Sequence, residues 1–276
     1  MSETPNQNLS GVPETMLVTL YLRAMETQRP DALIKDEKAV ELVTRLGYDF
    51  ERVRRIPMND ANRLMIILRN REIDRHAQDF LARHSDAVVV HIGCGLDARF
   101  ERVDNGRVEW YDLDFPHVIE LHRKLIGDER ERYHLLGCSV LDNAWLDTVS
   151  AHRPRSFLFL AEGVFMYLRE AQVKSVVLTL RDHFPGAELV FDALSPLHVW
   201  VTNLQISISK LSARLHWGIR RSREIEGWGT GIRLLDEWGI FDRPEPRLAR
   251  FRWMAPFYRL LKPVRICHFQ LGKAKV

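Results

Sequence analysis

The chain has 276 residues, 46% apolar and 28% charged, so it can bury one large core and reads as a soluble globular protein. A formal charge of +3, with the arginines scattered along the chain, argues against nucleic acid as a partner. Cys94, Cys138 and Cys267 lie far apart, with no CxxC pair and no histidine at metal spacing, so neither a disulfide framework nor a metal site is expected.

The opening stretch MSETPNQNLSGVPET lacks the basic-then-apolar order of a signal peptide, and no apolar run approaches the ~20 residues that span a bilayer. A cytoplasmic location away from membranes is the expectation. Residues 15–83 read as helical. One helix covers Met16–Thr27 and stops at Arg29-Pro30, and a second runs to Leu46, with Gly47 as its stop. A third begins at Asp60, a predicted N-cap, and carries Leu64, Ile67, Leu68, Ile73, Phe80 and Leu81 at helical spacing. Residues 1–84 are therefore expected to form a helical extension packed on a core spanning 85–276.

In that core, short β-rich runs at 87–92, 108–113, 133–136, 156–161 and 188–192 alternate with helical stretches at 116–126 and 169–183. Such alternation predicts parallel strands with crossover helices, a doubly wound α/β sheet. Residues 195–243 then read as an aromatic, Arg-rich helical stretch, a lid insertion carrying Trp200, Trp217, Trp228 and Trp238. Two late apolar runs, RLARFRWM (247–254) and VRICHFQLG (264–272), are expected to close the sheet as an edge pair.

Ligands of such sheets bind outside the carboxyl ends of the strands. The first strand ends in Gly93-Cys94-Gly95-Leu96-Asp97-Ala98, which fits GxGxx[G/A], and Asp112 and Asp114 follow at the end of the second. A dinucleotide, S-adenosylmethionine and a plain core turn all satisfy that pattern, because both ligands carry ribose hydroxyls and need backbone free of side chains. The third strand runs into Leu141 and Asp142, a carboxylate suited to an adenine amino group. The fourth ends in Ala161-Glu162-Gly163-Val164-Phe165-Met166-Tyr167-Leu168, with a carboxylate at the centre of the cleft. An α-ammonium and a sulfonium give that carboxylate a partner, whereas a nicotinamide gains little from it. Arg69 is the candidate for the carboxylate of such a ligand, against an ion pair with Asp74 or a solvated face. A reductase would need Tyr-x-x-x-Lys after its fourth or fifth strand, and Tyr258 with Lys262 lies beyond the last crossover.

Read together, LRNREID (68–74), VVVHIGCGLDARFERVDNGRVEWYDLDFPHVIELHRKLI (88–126), SVLDNAWLD (139–147) and FLAEGVFMYL (159–168) make the chain resemble the leucine carboxyl methyltransferase family. Within it the likeness is to the bacterial branch of tetracenomycin-type polyketide O-methyltransferases. Weaker similarity runs from YLRAMETQRPDALIKDEKAVELV (21–43) to FQLG (269–272). The resemblance implies a class I methyltransferase (Rossmann-like) sheet, mostly parallel with an antiparallel edge strand, and S-adenosylmethionine as methyl donor. It sets Arg69 at the methionine carboxylate and Gly93, Cys94 and Gly95 beneath the amino acid part. The ribose falls to Asp114, with Asp112 a second candidate, and the adenine to Leu141 and Asp142. Glu162 is set near the cofactor's amino group or the reaction centre. Asp97 either orients that amino group or caps the next helix. One departure is Arg69-Asn70 where the family often has Arg-Thr.

Methyl transfer from sulfonium is an in-line displacement, so the protein's main task is alignment in a dry site. A carboxylate acceptor needs no base, whereas a phenol, with a pKa near ~10, does. His91, His198 and His216 are isolated, so no catalytic base is assigned. The lid tryptophans are expected to stack on a flat acceptor, and Lys210, Arg214, Arg220, Arg221 and Arg223 to attract an anionic one. The expected activity is O-methylation of a carboxylate or acidic hydroxyl on a polyketide-like small molecule. Methylation of a protein C-terminal carboxylate and a divergent non-catalytic cofactor-binding protein are the alternatives.

Overall fold

The computed structural model describes residues 14–46, 50–51, 58–208 and 213–273. The stop expected at Gly47 and the cation Lys210 lie outside the described residues. Helix α1 (Glu14–Thr27) leads into α2 (Glu37–Arg45), whose N-cap Asp36 accepts from the Ala39 amide at 2.9 Å. Helix α3 (Asp60–Arg83) is capped by Asn59, one residue earlier than expected, which accepts from the Asn62 amide at 2.8 Å.

The core then follows as β1 (Val88–Ile92), α4 (Arg99–Val103), β2 (Glu109–Asp114), α5 (Pro116–Leu125), β3 (Tyr133–Gly137), α6 (Ala144–Ser150) and β4 (Phe157–Ala161). A short 3₁₀ turn (Phe165–Tyr167), α7 (Glu170–His183), β5 (Ala187–Leu194) and α8 (Pro196–Ile208) come next. The chain closes with a 3₁₀ helix at Ser222–Trp228, β6 (Arg233–Gly239), a 3₁₀ helix at Pro246–Met254, α9 (Ala255–Leu261) and β7 (Val264–Leu271).

Seven strands form one sheet in the order β3-β2-β1-β4-β5-β7-β6. The first five in sequence are parallel, and β7 runs antiparallel to both of its neighbours, β5 and β6. The order reverses between β1 and β4, so a crevice opens at their carboxyl ends. Strand alternation divides the core: Val88, Val90 and Ile92 join the layer with α6 and α7, while Val89 joins Leu64, Leu68 and Phe80 of α3 on the other face. The extension is thus part of the core, since α3 covers one face of the sheet. Helices α1 and α2 pack Leu17, Leu20 and Leu42 against Ile67 and against Leu96 beyond β1.

Two expectations need correction. Residues 195–243 are not a continuous helical lid: Trp217, Ile219, Ile225 and Ile232 enter the core, and 233–239 form the edge strand β6. That strand, RLLDEWG, buries only Trp238 fully and so shows no apolar alternation. RLARFRWM is a 3₁₀ helix and not a strand. It starts at a proline and buries only Leu248, while Arg247 reaches the buried Glu26 and Arg250 the exposed Asp60. No described helix is long and apolar enough to cross a membrane.

Candidate active site

The carboxyl ends of β1 to β5, together with α1, α3 and α8, enclose a cavity of about 770 Å³. Its floor is the Gly93-Cys94-Gly95 turn, where the Gly93 amide donates to the Leu113 carbonyl at 2.7 Å. Gly93 has φ +67°, and a Cβ there would stand 2.3 Å from Val164 Cγ2, so the turn after β1 lies flush against the turn after β4.

Beside this bare backbone, Asp114 Oδ2 accepts from the Gly95 amide at 2.9 Å and Oδ1 from the Phe115 amide at 2.7 Å. Burial outweighs these donors and raises its pKa above the ordinary carboxylate value. Asp112 shares its strand face but lies deeper and does not line the cavity, which corrects its place as a second ribose acceptor. It is fully buried and takes Trp110 Nε1 at 2.8 Å, the Tyr133 hydroxyl at 2.7 Å, His91 Nδ1 at 3.2 Å and His122 Nε2 at 3.3 Å.

Behind the floor lies a buried ionic lattice. Arg69 on α3 donates through Nε to Glu162 at 2.9 Å and through Nη1 to Asp192 at 2.8 Å, so Asp74 is not its partner. Arg99, wholly buried, donates to Asp74 at 2.6 Å and to Glu162 and Asp97. Arg102 binds Asp74 and Asp97, each at 2.7 Å, and Asp36 at 3.0 Å, while Arg23 binds Asp36 at 2.7 Å. Asp97 is therefore committed to arginines, and α4 has Ala98 as its N-cap, with no side-chain cap. The departure Asn70 fits here as well: its amide donates to Glu162 at 3.3 Å and its carbonyl accepts from Arg102 at 3.1 Å.

Among these described residues four guanidinium groups, Arg23, Arg69, Arg99 and Arg102, face five carboxylates, Asp36, Asp74, Asp97, Glu162 and Asp192. The lattice carries one surplus negative charge. Burial drives the Glu162 carboxyl upward, but Arg69 and Arg99 outweigh it and hold the group at about 2. Asp192 moves the other way, because its burial and the nearby Glu162 outweigh Arg69. A bare backbone strip beside a held carboxylate, backed by net negative charge, suits a ligand with sugar hydroxyls and a cationic centre.

Arg69, Gly93, Cys94, Gly95, Asp97, Asp114, Leu141 and Glu162 all line the one cavity. Asp142 does not. It is exposed and closes its own turn, accepting from the Ser139 amide at 3.1 Å. None of the four lid tryptophans lines the cavity, which corrects their stacking role: Trp217 and Trp238 are core, Trp228 packs against it and Trp200 is 65% exposed. Of the expected basic cluster, Arg214 alone among the described residues reaches the cavity.

The opposite wall was marked in the sequence only by the Met166-Tyr167-Leu168 run after β4 and by His198. Met65 of α3, Met166 and Leu168, Leu194 at the end of β5, Ile206 and Leu215 make it apolar, with Tyr167, His198 and Thr202 interspersed. His198, Thr202 and Ile206 are spaced by four and share one face of α8. Burial lowers the His198 pKa, and no described residue hydrogen-bonds its ring. His91 is spoken for: Arg99 Nη1 donates to its Nε2 at 3.1 Å, so Nδ1 carries the proton toward Asp112.

A family model described as leucine carboxyl methyltransferase matches residues 16–180. The tetracenomycin polyketide synthesis O-methyltransferase TcmP of Streptomyces glaucescens is 37% identical over 94% of this chain and 95% of its own length. The S-adenosyl-L-methionine-dependent methyltransferase dpfgK of Gibberella zeae is 28% identical over 90% and 89%. Among solved structures, a Thermobifida fusca protein described as a methyltransferase superposes with a TM-score of 0.62 at 17% identity, covering 99% of this chain and 100% of its own. That likeness bears on the fold alone. With the family match over more than half its length and a 37% identical relative along nearly all of it, this chain belongs to the leucine carboxyl methyltransferase family and is an S-adenosylmethionine-dependent methyltransferase of the class I fold.

Proposed function

We propose that this protein is an O-methyltransferase acting on a carboxylate or acidic hydroxyl of an apolar small molecule. One observation carries the reading: a single cavity has a polar cofactor side and an apolar wall carrying His198, Thr202, Tyr167 and Arg214. Its volume of about 770 Å³ falls in the range of small-molecule sites. TcmP, by its name a polyketide O-methyltransferase, supports the same acceptor class.

In this reading Asp114 accepts the ribose hydroxyls through lone pairs left by its two backbone donors. Leu141 lies along the adenine, with Asp142 at the rim. Arg69 meets the methionine carboxylate, and Glu162 and Asp97 face the ammonium through the surplus charge of their lattice. Bound S-adenosylmethionine supplies an electrophilic methyl on a cationic sulfur. The acceptor oxygen forms the new C–O bond as the S–CH₃ bond breaks, and the apolar wall keeps water from competing. A carboxylate acceptor arrives deprotonated. For a hydroxyl acceptor, His198 takes the proton, since its lowered pKa leaves the ring neutral near pH 7.

The test couples calorimetry with S-adenosylhomocysteine to an acceptor panel of aromatic carboxylic acids, phenols and a leucine-terminated peptide, read by mass spectrometry. Methylated aromatic acids or phenols are expected, and alkaline lability separates methyl esters from aryl ethers. Cofactor binding with only the peptide methylated would overturn the small-molecule reading, and binding with no methylated acceptor would favour the non-catalytic alternative.

A further inference from the structure

Beneath the cofactor turn lies a cluster that the reaction itself does not use: Cys94, Asp112 and His122, all buried, with Tyr133 beside them. Their donor atoms are of metal-ligand type, yet each already has a partner. His122 Nδ1 stands 2.7 Å from the Gly95 carbonyl and 3.8 Å from Cys94 Sγ. Its Nε2 stands 2.7 Å from the Tyr133 hydroxyl, which is in turn 2.7 Å from Asp112 Oδ2.

Counting protons fixes the direction of this chain. A carbonyl only accepts, so Nδ1 must donate to Gly95. Tyr133 has one proton for two neighbours at the same distance. Were the ring neutral, that proton would go to Nε2 and leave the phenol oxygen facing the Asp112 carboxylate without a hydrogen between them. With both ring nitrogens protonated every contact is filled: Nδ1–H to Gly95, Nε2–H to Tyr133, and Tyr133 O–H to Asp112. Burial opposes this charge, but Asp112 and the Gly95 carbonyl outweigh it and raise the His122 pKa.

We infer that His122 is a positioning residue for the methyl donor: as an imidazolium held by Tyr133 and Asp112, it fixes the Gly95 carbonyl from below. The preceding peptide of the same residue is held as well, where the Gly95 amide donates to Asp114. Gly95 is thereby clamped through both its N–H and its C=O at φ +54°, with Asp114 left aimed into the cavity. Asp112 also continues the chain the other way, through His91 and Arg99 to Glu162. One hydrogen-bonded line thus joins the turn under the cofactor to the carboxylate at the cleft centre. The inference rests on the cofactor binding at this turn.

Two substitutions separate positioning from packing, because asparagine places its amide where Nδ1 was and glutamine places its amide where Nε2 was. In calorimetry with S-adenosylhomocysteine, His122→Gln, which loses the Gly95 contact, is expected to bind about tenfold or more weaker than His122→Asn, which keeps it. Equal affinities for two variants of equal melting temperature would overturn the proposal. Nitrogen NMR of the unsubstituted protein gives an independent reading should either variant misfold. Both His122 ring nitrogens are expected in the protonated range at neutral pH, and a neutral ring there would refute it. Binding of S-adenosylhomocysteine to neither the variants nor the parent would instead remove the cofactor assignment.

Discussion

Asp112 and Asp114 sit two residues apart on the same strand face, so replacing each by alanine asks whether depth alone divides their roles. Asp114 lines the cavity and receives two backbone amides; Asp112 receives three side-chain donors, faces His122 Nε2 at 3.3 Å and sees no cavity. Asp114→Ala removes a charged acceptor worth roughly 1.5–3 kcal/mol to the ribose, or about 10- to 150-fold in cofactor affinity. Its cost to folding is small, on the order of 1 kcal/mol, because the Gly95 and Phe115 amides it frees lie at the cavity and can meet water. Asp112→Ala strands buried donors and an uncompensated His122 imidazolium, which costs about 3–5 kcal/mol of stability. The assay is paired: S-adenosylhomocysteine titration by calorimetry and thermal unfolding on the same samples. Asp114→Ala should weaken binding with a nearly parental melting temperature, and Asp112→Ala should melt many degrees lower. Parental affinity in Asp114→Ala, or parental stability in Asp112→Ala, would refute the reasoning.

The side of the cavity proposed for the cofactor was readable because its signals are local. A glycine turn at the end of an apolar strand, an acid at the end of the next, and a carboxylate after the fourth each follow from strand ends that periodicity alone locates. What separates Asp112 from Asp114 is not local. Tyr133 comes from β3, His122 from α5 and His91 from β1, and only their convergence buries one carboxylate and leaves the other open. Arg69 shows the same limit. Its helix was legible, but Glu162 and Asp192 lie 93 and 123 residues away, and Asp192 lies inside β5, two residues before its end. The wall proposed for the acceptor was least legible, since Met65, Met166 and Leu215 are ordinary apolar residues until α3, the turn after β4 and the chain after α8 meet around one space. The tryptophans misled for the complementary reason: large rings are as much at home in a core, and Trp217 fills the one beneath β5.

Replacing Gly93 by alanine should abolish cofactor binding, because its φ of +67° disfavours a side chain and the Cβ meets Val164 at 2.3 Å; Val164→Ala in the same chain should relieve the clash and restore part of the affinity. His198→Ala should lower turnover of a phenolic acceptor by about 10²-fold or more and leave a carboxylic acid acceptor within a few fold, and equal losses on both would remove its role as base. Cofactor affinity should be level near neutrality and fall on acidification. The Asp114 and Asp192 pKa values are both raised, but only Asp114 lines the cavity, so its protonation removes the ribose acceptor while Glu162, held at about 2, stays ionised; an acid limb that persists unchanged in Asp114→Asn would refute that assignment. The sharpest measure of the lattice is Glu162→Gln. The surplus negative charge acts on a cationic sulfur but not on the neutral sulfur of the product, whereas ribose, adenine and amino acid contacts are common to both. At an effective dielectric of about 20 and separations of roughly 8–16 Å, one charge is worth about 1–2 kcal/mol. Glu162→Gln should therefore lower the affinity for S-adenosylmethionine by about 5- to 30-fold more than that for S-adenosylhomocysteine. Because the ratio cancels any general loosening of Arg69 and Arg99, an unchanged ratio in a folded variant would show that the lattice serves architecture and does not read the charge on sulfur.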